Sequence, residues 1–328
     1  MSAGHEERKR TGEGKCEAEH VDELDAEGER EPTPKQVRDS AICLAATDHP
    51  SEIDICCDGI VGAWERAQRV DERVRAITYE QVMEQARHYG LSIVTAGDDQ
   101  WPTGLDDLLT HDPLALALWV AGQPLVLQSP VTITGARAAT AYGTQIAQQL
   151  GHDLAQAGHT VVTTLSHGID VAALRGAMAA DGAAPIVVLA EGVQDDRPLR
   201  PASEEAFARE VLTRCSVITE YPPTTRASRS TFEARTRLLA TISMATVVVE
   251  AGARSSARLT ARWAHDRHRV LCAVPGPVTS MTSSLPHDLI AAGRARLITS
   301  AHDVIDALAN HVNTVNSAKT MAAEGTSS

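Results

Sequence analysis

This chain of 328 residues predicts an α/β fold built on a doubly wound, mostly parallel sheet with helices on both faces. Three observations carry that reading. From residue 131 onward, short β-branched or apolar runs alternate with helical stretches, and connections of that kind are right-handed crossovers between parallel strands. The runs at 185–190 and 246–249 are continuously apolar, as strands covered on both faces are. Two of the strands, Val131-Thr132-Ile133-Thr134 and Val161-Val162-Thr163-Thr164, lead into glycine turns followed by helical patterns. Such turns deliver backbone N–H groups and a helix N-terminus to the carboxyl edge of the sheet, where phosphates bind.

In chain order, residues 1–39 are dense in Glu, Lys, Arg and Gly and carry too little apolar surface to offset their ordering entropy. They are expected to be a disordered, charged tail. Residues 40–90 hold helical patterns, clearest at 63–76 and 79–88, and predict a small helical subdomain. A strand at 92–95 precedes the turn Gly97-Asp98-Asp99. Trp101-Pro102 and Asp112-Pro113 punctuate the next stretch, and 114–120 reads as another strand. Further strands are expected at 131–134, 160–165, 185–190, 216–220, 246–250, 269–274 and 296–299. Helices are expected at 139–157, 169–181, 203–214, 233–243, 256–266, 284–293 and 301–309. The main domain thus spans 91–309, and the small polar residues of 310–328 predict a second disordered tail.

Aromatic residues make up only 3% of the chain, so Leu, Val, Ile and Ala must build its core. The first residues are charged, no apolar h-region follows them, and no apolar run approaches a membrane span. A cytoplasmic protein without membrane contact is expected. Cysteines at 16, 43, 56, 57, 215 and 272 fit neither a disulfide framework nor a zinc clip. Cys215 and Cys272 flank apolar strands and are expected to be buried thiols. No metal or other cofactor is expected.

The net charge of −13 argues at first against nucleic acid, but its distribution matters more. Residues 1–40 carry −5 and residues 41–130 carry −9, whereas residues 131–309 carry +1. Every basic residue of that last segment is Arg, and nine of them lie in 220–269 against four acids. A local arginine surface is therefore compatible with the overall acidity.

The turn Gly135-Ala136-Arg137 lacks the full Gly-x-Gly-x-x-Gly fingerprint, and by itself is also what a tight turn with a solvated Arg looks like. The second turn, Ser166-His167-Gly168-Ile169-Asp170, supplies a hydroxyl, an imidazole and a flexible glycine, and by itself fits a helix cap with a surface His. Two such turns at one sheet edge reinforce each other. With them stand Trp101-Pro102, Asp112-Pro113-Leu114, Tyr142-Gly143, Glu220-Tyr221-Pro222-Pro223, Arg235-Thr236-Arg237 and 274–280, Val-Pro-Gly-Pro-Val-Thr-Ser. In this order the motifs resemble those of the DNA-processing protein A family (DprA/Smf), over roughly 91–309.

The resemblance implies a Rossmann-like domain that binds single-stranded DNA, dimerises and helps load a RecA-type recombinase during recombination and natural transformation. No Gly-x-x-x-x-Gly-Lys-Ser/Thr loop occurs, and a binding protein without catalytic turnover is expected. Position by position, the resemblance assigns DNA or phosphate contacts to Gly135, Ala136 and Arg137 of the first turn and to Ser166, His167 and Gly168 of the second. It assigns further contacts to Arg229, Arg235 and Arg237 and a base contact to Phe232. The chain departs from the family pattern at Thr236, in place of Asn, and at Ser256-Ala257 and Leu285-Pro286-His287, where glycines are usual. Lost turn glycines restrict positive φ and close backbone approach.

Two other readings follow from the same residues. The fold also resembles nucleotide phosphoribohydrolases of the cytokinin-activating type, but here Arg254-Ser255-Ser256-Ala257-Arg258-Leu259-Thr260 is followed by Ala261-Arg262-Trp263, without the carboxylate such chemistry uses. Asp170 then reads as a helix cap and Glu250 as the partner of a nearby Arg. A sensor of a small nucleotide is the third reading. Phe207 sits at helical spacing and reads as core. Phe232, in an arginine-rich loop entering a helix, reads either as a staple against Leu238 or as a platform for a base. The runs 270–274 and 297–298 are candidates for a dimer edge, or alternatively for core strands.

Overall fold

The structure, a computed structural model, describes residues 32–47, 59–106, 116–194, 199 and 205–325. Four helices come first: α1 (Pro34–Ala45), α2 (Gly59–Val70), α3 (Glu72–Arg75) and α4 (Tyr79–His88). Helix α1 starts inside the stretch expected to be a tail. Thr33 and Gln36 form a capping box there, and Pro34 occupies the first turn, where its missing N–H costs nothing. The pattern at 63–76 is split between α2 and α3 at Asp71, whose carboxylate accepts from the Arg73 N–H at 2.8 Å and starts a new helix.

Strands β1 (Ser92–Thr95) and β2 (Ala117–Gly122) pair antiparallel. After them β3 (Val131–Thr134), α5 (Ala141–Gln156), β4 (Val161–Thr163), α6 (Ile169–Ala179), β5 (Ile186–Val188), α7 (Glu205–Arg214) and β6 (Ser216–Thr219) alternate. The alternation continues with α8 (Arg229–Ile242), β7 (Ala245–Val248), α9 (Ala257–Asp266), β8 (Val270–Ala273), α10 (Ser284–Ala291), β9 (Arg296–Leu297) and α11 (Ala301–Gly325). Among the described residues these strands make one nine-stranded sheet in the order β1-β2-β6-β5-β4-β3-β7-β8-β9. The six pairs from β6 to β9 are parallel, and the β2–β6 pair is antiparallel. This is the expected α/β class.

The layers follow from residue alternation. Val131 and Ile133 face α5, α6 and α11, where they join Leu150, Leu154, Ile169, Ala173 and Val304. Thr132 faces the other way, and its hydroxyl donates to the Leu239 carbonyl of α8 at 2.9 Å. On that second face Leu238, Leu239 and Ile242 of α8 pack on Val162, Ile186 and Ile218. The first four helices share a cluster with Ile93, Trp119 and Val217, so they are a layer on the β1–β2 end of the sheet and not a separate domain.

Three expectations change. Residues 270–274 are no edge: β8 lies between β7 and β9 with Leu271, Cys272 and Ala273 buried. The edge is the two-residue β9, with Leu297 48% exposed. The C-terminal helix runs to Gly325, through most of the segment expected to be a tail. Finally, Ser256 has φ −61° and Ala257 is helical, so this stretch needs no glycine. Cys43, Cys215 and Cys272 are buried free thiols, each pushed up to about 12 chiefly by burial. Cys16, Cys56, Cys57 and most of the expected N-terminal tail lie outside the described residues. No helix among the described residues is long and apolar enough to cross a membrane.

Candidate functional site

Three adjacent strands, β4, β3 and β7, end at one place. The first turn leaves β3 through Gly135-Ala136-Arg137, and the Ala136 N–H donates to the Glu250 carbonyl just past β7. The second turn carries Gly168 at φ +80°, a left-handed backbone that glycine adopts without cost. Space demands glycine there too: a Cβ would lie 2.2 Å from the Ala136 carbonyl oxygen and 2.5 Å from that of Arg137. The Ile169 N–H donates to the Ala136 carbonyl at 3.2 Å. The two turns are therefore one continuous surface. Gly168 caps α6 with no side chain, so the positive end of that helix dipole faces the turns.

Helix α8 brings the arginines. It begins at Arg229, earlier than the 233 expected, because Ser228 and Thr231 close a capping box. Phe232 thus stands in the first helical turn. Its ring is 37% exposed and belongs to none of the apolar clusters, whereas Leu238 is buried under the sheet. Two guanidinium groups flank it, Arg235 at 4.8 Å and Arg137 at 5.9 Å from the ring centroid. Arg235 is half-buried, and its Nη2 lies 3.4 Å from Ser166 Oγ in the second turn. Burial and the neighbouring Arg137 depress its basicity, while Asp170 and Glu191 oppose that shift. Arg229 is almost fully exposed and pairs with Glu233 one turn on, at 3.1 Å.

Arg237 departs from the expectation. Two residues along a helix rotate by about 200°, so Arg237 points away from Arg235 and into the protein. It is 2% exposed and forms an ion pair with the buried Glu220 after β6. Its guanidinium does not reach the surface on which Arg137 and Arg235 stand. Ser166, Gly168, Gly135, Ala136 and Arg137 do come together there, and His167 is an exposed residue of the second turn.

The acids at this edge have structural partners. Asp170 is buried and accepts from Thr134 Oγ1 and the Gly135 N–H, each at 3.2 Å, and from Thr164 Oγ1. Burial pushes its carboxyl up to about 6; the hydrogen bonds and Arg235 pull the other way. Among the described residues no ion pair joins Glu250 to an Arg. Glu250 accepts from the Thr140 N–H at 2.9 Å and hydroxyl at 2.7 Å, capping α5, and a Cβ at Gly143 would sit 2.2 Å from its Oε2. Both carboxylates bind the loops to one another. Sequence reasoning passed over Thr134, Thr140 and Thr164; the signal was a hydroxyl at the end of β3, just after β4, and at the N-cap of α5. Tyr142 donates to the Pro275 carbonyl at 2.8 Å and ties the next loop to this edge. The departing His287 does the same for Gly276, with its Nε2 3.0 Å from that carbonyl.

A partly exposed aromatic ring between two arginines, above glycine turns and a helix N-terminus, can hold an anion beside a flat apolar group. The family described as DNA recombination-mediator protein A matches residues 92–309. The chain is 40% identical over 228 residues to a putative DNA processing protein DprA of Mycobacterium tuberculosis, covering 66% of this chain and 57% of that protein. It is 30% identical over 227 residues to the protein Smf of Escherichia coli, covering 69% of this chain and 58% of that one. The matched region is thus little more than half the length of these relatives. DNA processing protein A of Streptococcus pneumoniae has a similar crystal structure, with TM-score 0.63 and 25% identity over 76% of this chain and 82% of that one. The Helicobacter pylori protein, whose structure was described for its single-stranded DNA binding mode, shares the fold at TM-score 0.57 and 22% identity, covering 68% of this chain and 98% of that one. On its ordered motifs, its sheet and its matched residues, the chain belongs to the DNA recombination-mediator protein A family.

Proposed function

We propose that this chain binds single-stranded DNA at the edge formed by Gly135, Ala136, Arg137, Ser166, His167, Gly168, Arg229, Phe232 and Arg235. It acts there, in the cytoplasm, as a homodimeric mediator that helps load a RecA-type recombinase. The observation that carries this reading is the placement of Phe232 between Arg137 and Arg235. An exposed ring is a platform for a base, arginine and the α6 N-terminus suit the phosphates on either side, and neither selects a particular sequence. The Helicobacter pylori relative's single-stranded DNA binding supports the ligand class. Glu250 and Asp170 are bound into the loops, which favours holding a ligand over turning one over.

Fluorescence anisotropy with a labelled oligothymidylate, in competition with a mononucleotide and with duplex DNA, tests the reading. Preferential, salt-sensitive binding of the single strand is expected. Equal or better competition by the mononucleotide refutes it. Sedimentation that finds only monomer across micromolar concentrations removes the dimer, and loss of recombinase filament stimulation removes the mediator role.

A further inference from the structure

Asp170 stands beneath the proposed DNA surface and is only 4% exposed. Its carboxylate collects hydrogen bonds from three places: the end of β3 through Thr134, the first turn through the Gly135 N–H, and the end of β4 through Thr164. Thr164 continues the chain outward. Its Oγ1 accepts from the Ser166 N–H at 2.9 Å and lies 2.8 Å from Ser166 Oγ, which in turn meets Arg235 Nη2 at 3.4 Å. A row of groups thus leads from a buried acid to an arginine at the surface.

The direction of the row follows from proton counting. An ionised carboxylate only accepts, so it takes the single Thr164 hydroxyl proton. The Thr164 oxygen then has only lone pairs to offer, and it holds the second turn through the Ser166 N–H. The 2.8 Å contact between the two hydroxyls is then closed by the Ser166 proton, which donates to Thr164 and leaves the Ser166 lone pairs to receive Arg235. A neutral amide at 170 would reverse this order: it donates to Thr164, whose proton then turns to Ser166 Oγ and displaces Arg235.

We propose that Asp170 is the positioning residue of the single-stranded DNA site, ordering Thr164 and Ser166 so that the serine lone pairs hold the Arg235 guanidinium where its remaining N–H groups meet a phosphate. This rests on the DNA-binding reading above. It assigns to Asp170 a task other than capping α6, whose N-cap position is Gly168.

A double-mutant cycle on the full chain tests it, with D170N, T164V and the double variant measured for oligothymidylate affinity, salt dependence and thermal midpoint. Each single variant is expected to weaken binding about tenfold, the worth of one charge-assisted hydrogen bond. The double variant should be no weaker than either single one, because the row acts as a unit. The log–log salt slope should fall by about 0.7, one phosphate on a single strand. The D170N midpoint at neutral pH should not drop, since a buried carboxylate has been replaced by a neutral group of its size. Wild-type affinity and slope in D170N overturn the proposal, as do additive losses, or a lowered midpoint in which folded D170N still binds normally. Failure of the wild type itself to bind the single strand would instead overturn the DNA-binding reading, and this inference with it.

Discussion

Replacing Phe232 by alanine separates a binding platform from a packing residue. The ring is 37% exposed and lies in no apolar cluster, so its removal opens no cavity in the core. Its folded-state partners are the guanidinium groups of Arg235 and Arg137 at 4.8 and 5.9 Å, exposed contacts worth roughly 0.5–1 kcal/mol each at most. The stability cost is therefore expected to stay near or below about 1 kcal/mol, which moves the midpoint of a protein this size by only a few degrees. A base stacked on the ring contributes about 1–3 kcal/mol, so affinity for an oligothymidylate should fall roughly five- to 150-fold. Anisotropy titration and thermal denaturation of the same preparations give both quantities. Intact binding together with a large loss of stability would show that the ring staples α8 instead, and the site would have to be moved away from it.

Arg137→Ala should weaken single-strand binding and reduce the log–log salt slope by about 0.7, measured above about 0.1 M salt; an unchanged slope would remove the first turn from the interface. Arg237→Met should leave Glu220 without its ion-pair partner and destabilise the protein by about 3–5 kcal/mol in urea denaturation. The folded fraction should bind DNA as the wild type does, and a stable variant with lost affinity would contradict the buried placement. Asp170 titrates at about 6, above the 3.8 usual for its class, so the folded protein holds a proton there that the unfolded chain releases. Its contribution to stability is therefore fully present below about pH 4 and lost as the pH rises through 6, by no more than about 3 kcal/mol. Wild type compared with D170N from pH 7.5 to 4.5 isolates this term, and parallel stability profiles would refute it.

Periodicity showed the sheet because doubly covered parallel strands have to be apolar along their whole length. Most strand ends were found to within a residue or two; β2 starts three residues later than expected, and β4 and β5 shrank most, from six residues to three each. The last residues of the expected N-terminal tail, from Pro34 on, and most of the C-terminal one were misread for a common reason: composition measures what a segment can bury, not whether it is capped or continues a helix already started. Thr33 with Gln36 starts α1 in a charged stretch, and α11, well packed through Leu308, carries on past it. At the site, the glycine turns and Phe232 were legible because they are rare residues at marked positions. The fate of Arg237 was not legible, because family position says which residue type recurs and helix phase says where it points. With Arg235 on the exposed side of α8, a residue two places along had to face the interior, and Glu220 waits there. Asp170 and Glu250 were seen singly; their hydroxyl and backbone partners are 6 to 110 residues away in sequence.

The acidity of the whole chain bears on the same surface through distance. The acid excess of residues 41–130 does not lie in α2 to α4, where residues 59–88 hold five acids and five arginines; its described part is Asp98, Asp99 and Asp106, which follow β1 at the far end of the sheet. In the strand order, β1 is four spacings from β4 and five from β3, or roughly 19 and 24 Å at about 4.8 Å per strand. The screening length is about 8 Å at 0.15 M salt, so those acids are largely hidden from DNA lying on the turns, and Arg137, Arg235 and the α6 N-terminus set the local field. At 0.01 M it grows to about 30 Å, and the acidic end then repels the strand. Affinity for an oligothymidylate should accordingly rise as salt falls toward about 0.1 M and then level off, in place of the straight log–log line of a uniformly basic protein. A line that stays straight down to about 0.01 M would mean that these acids do not reach the bound strand, and that the net charge of −13 has no part in setting affinity.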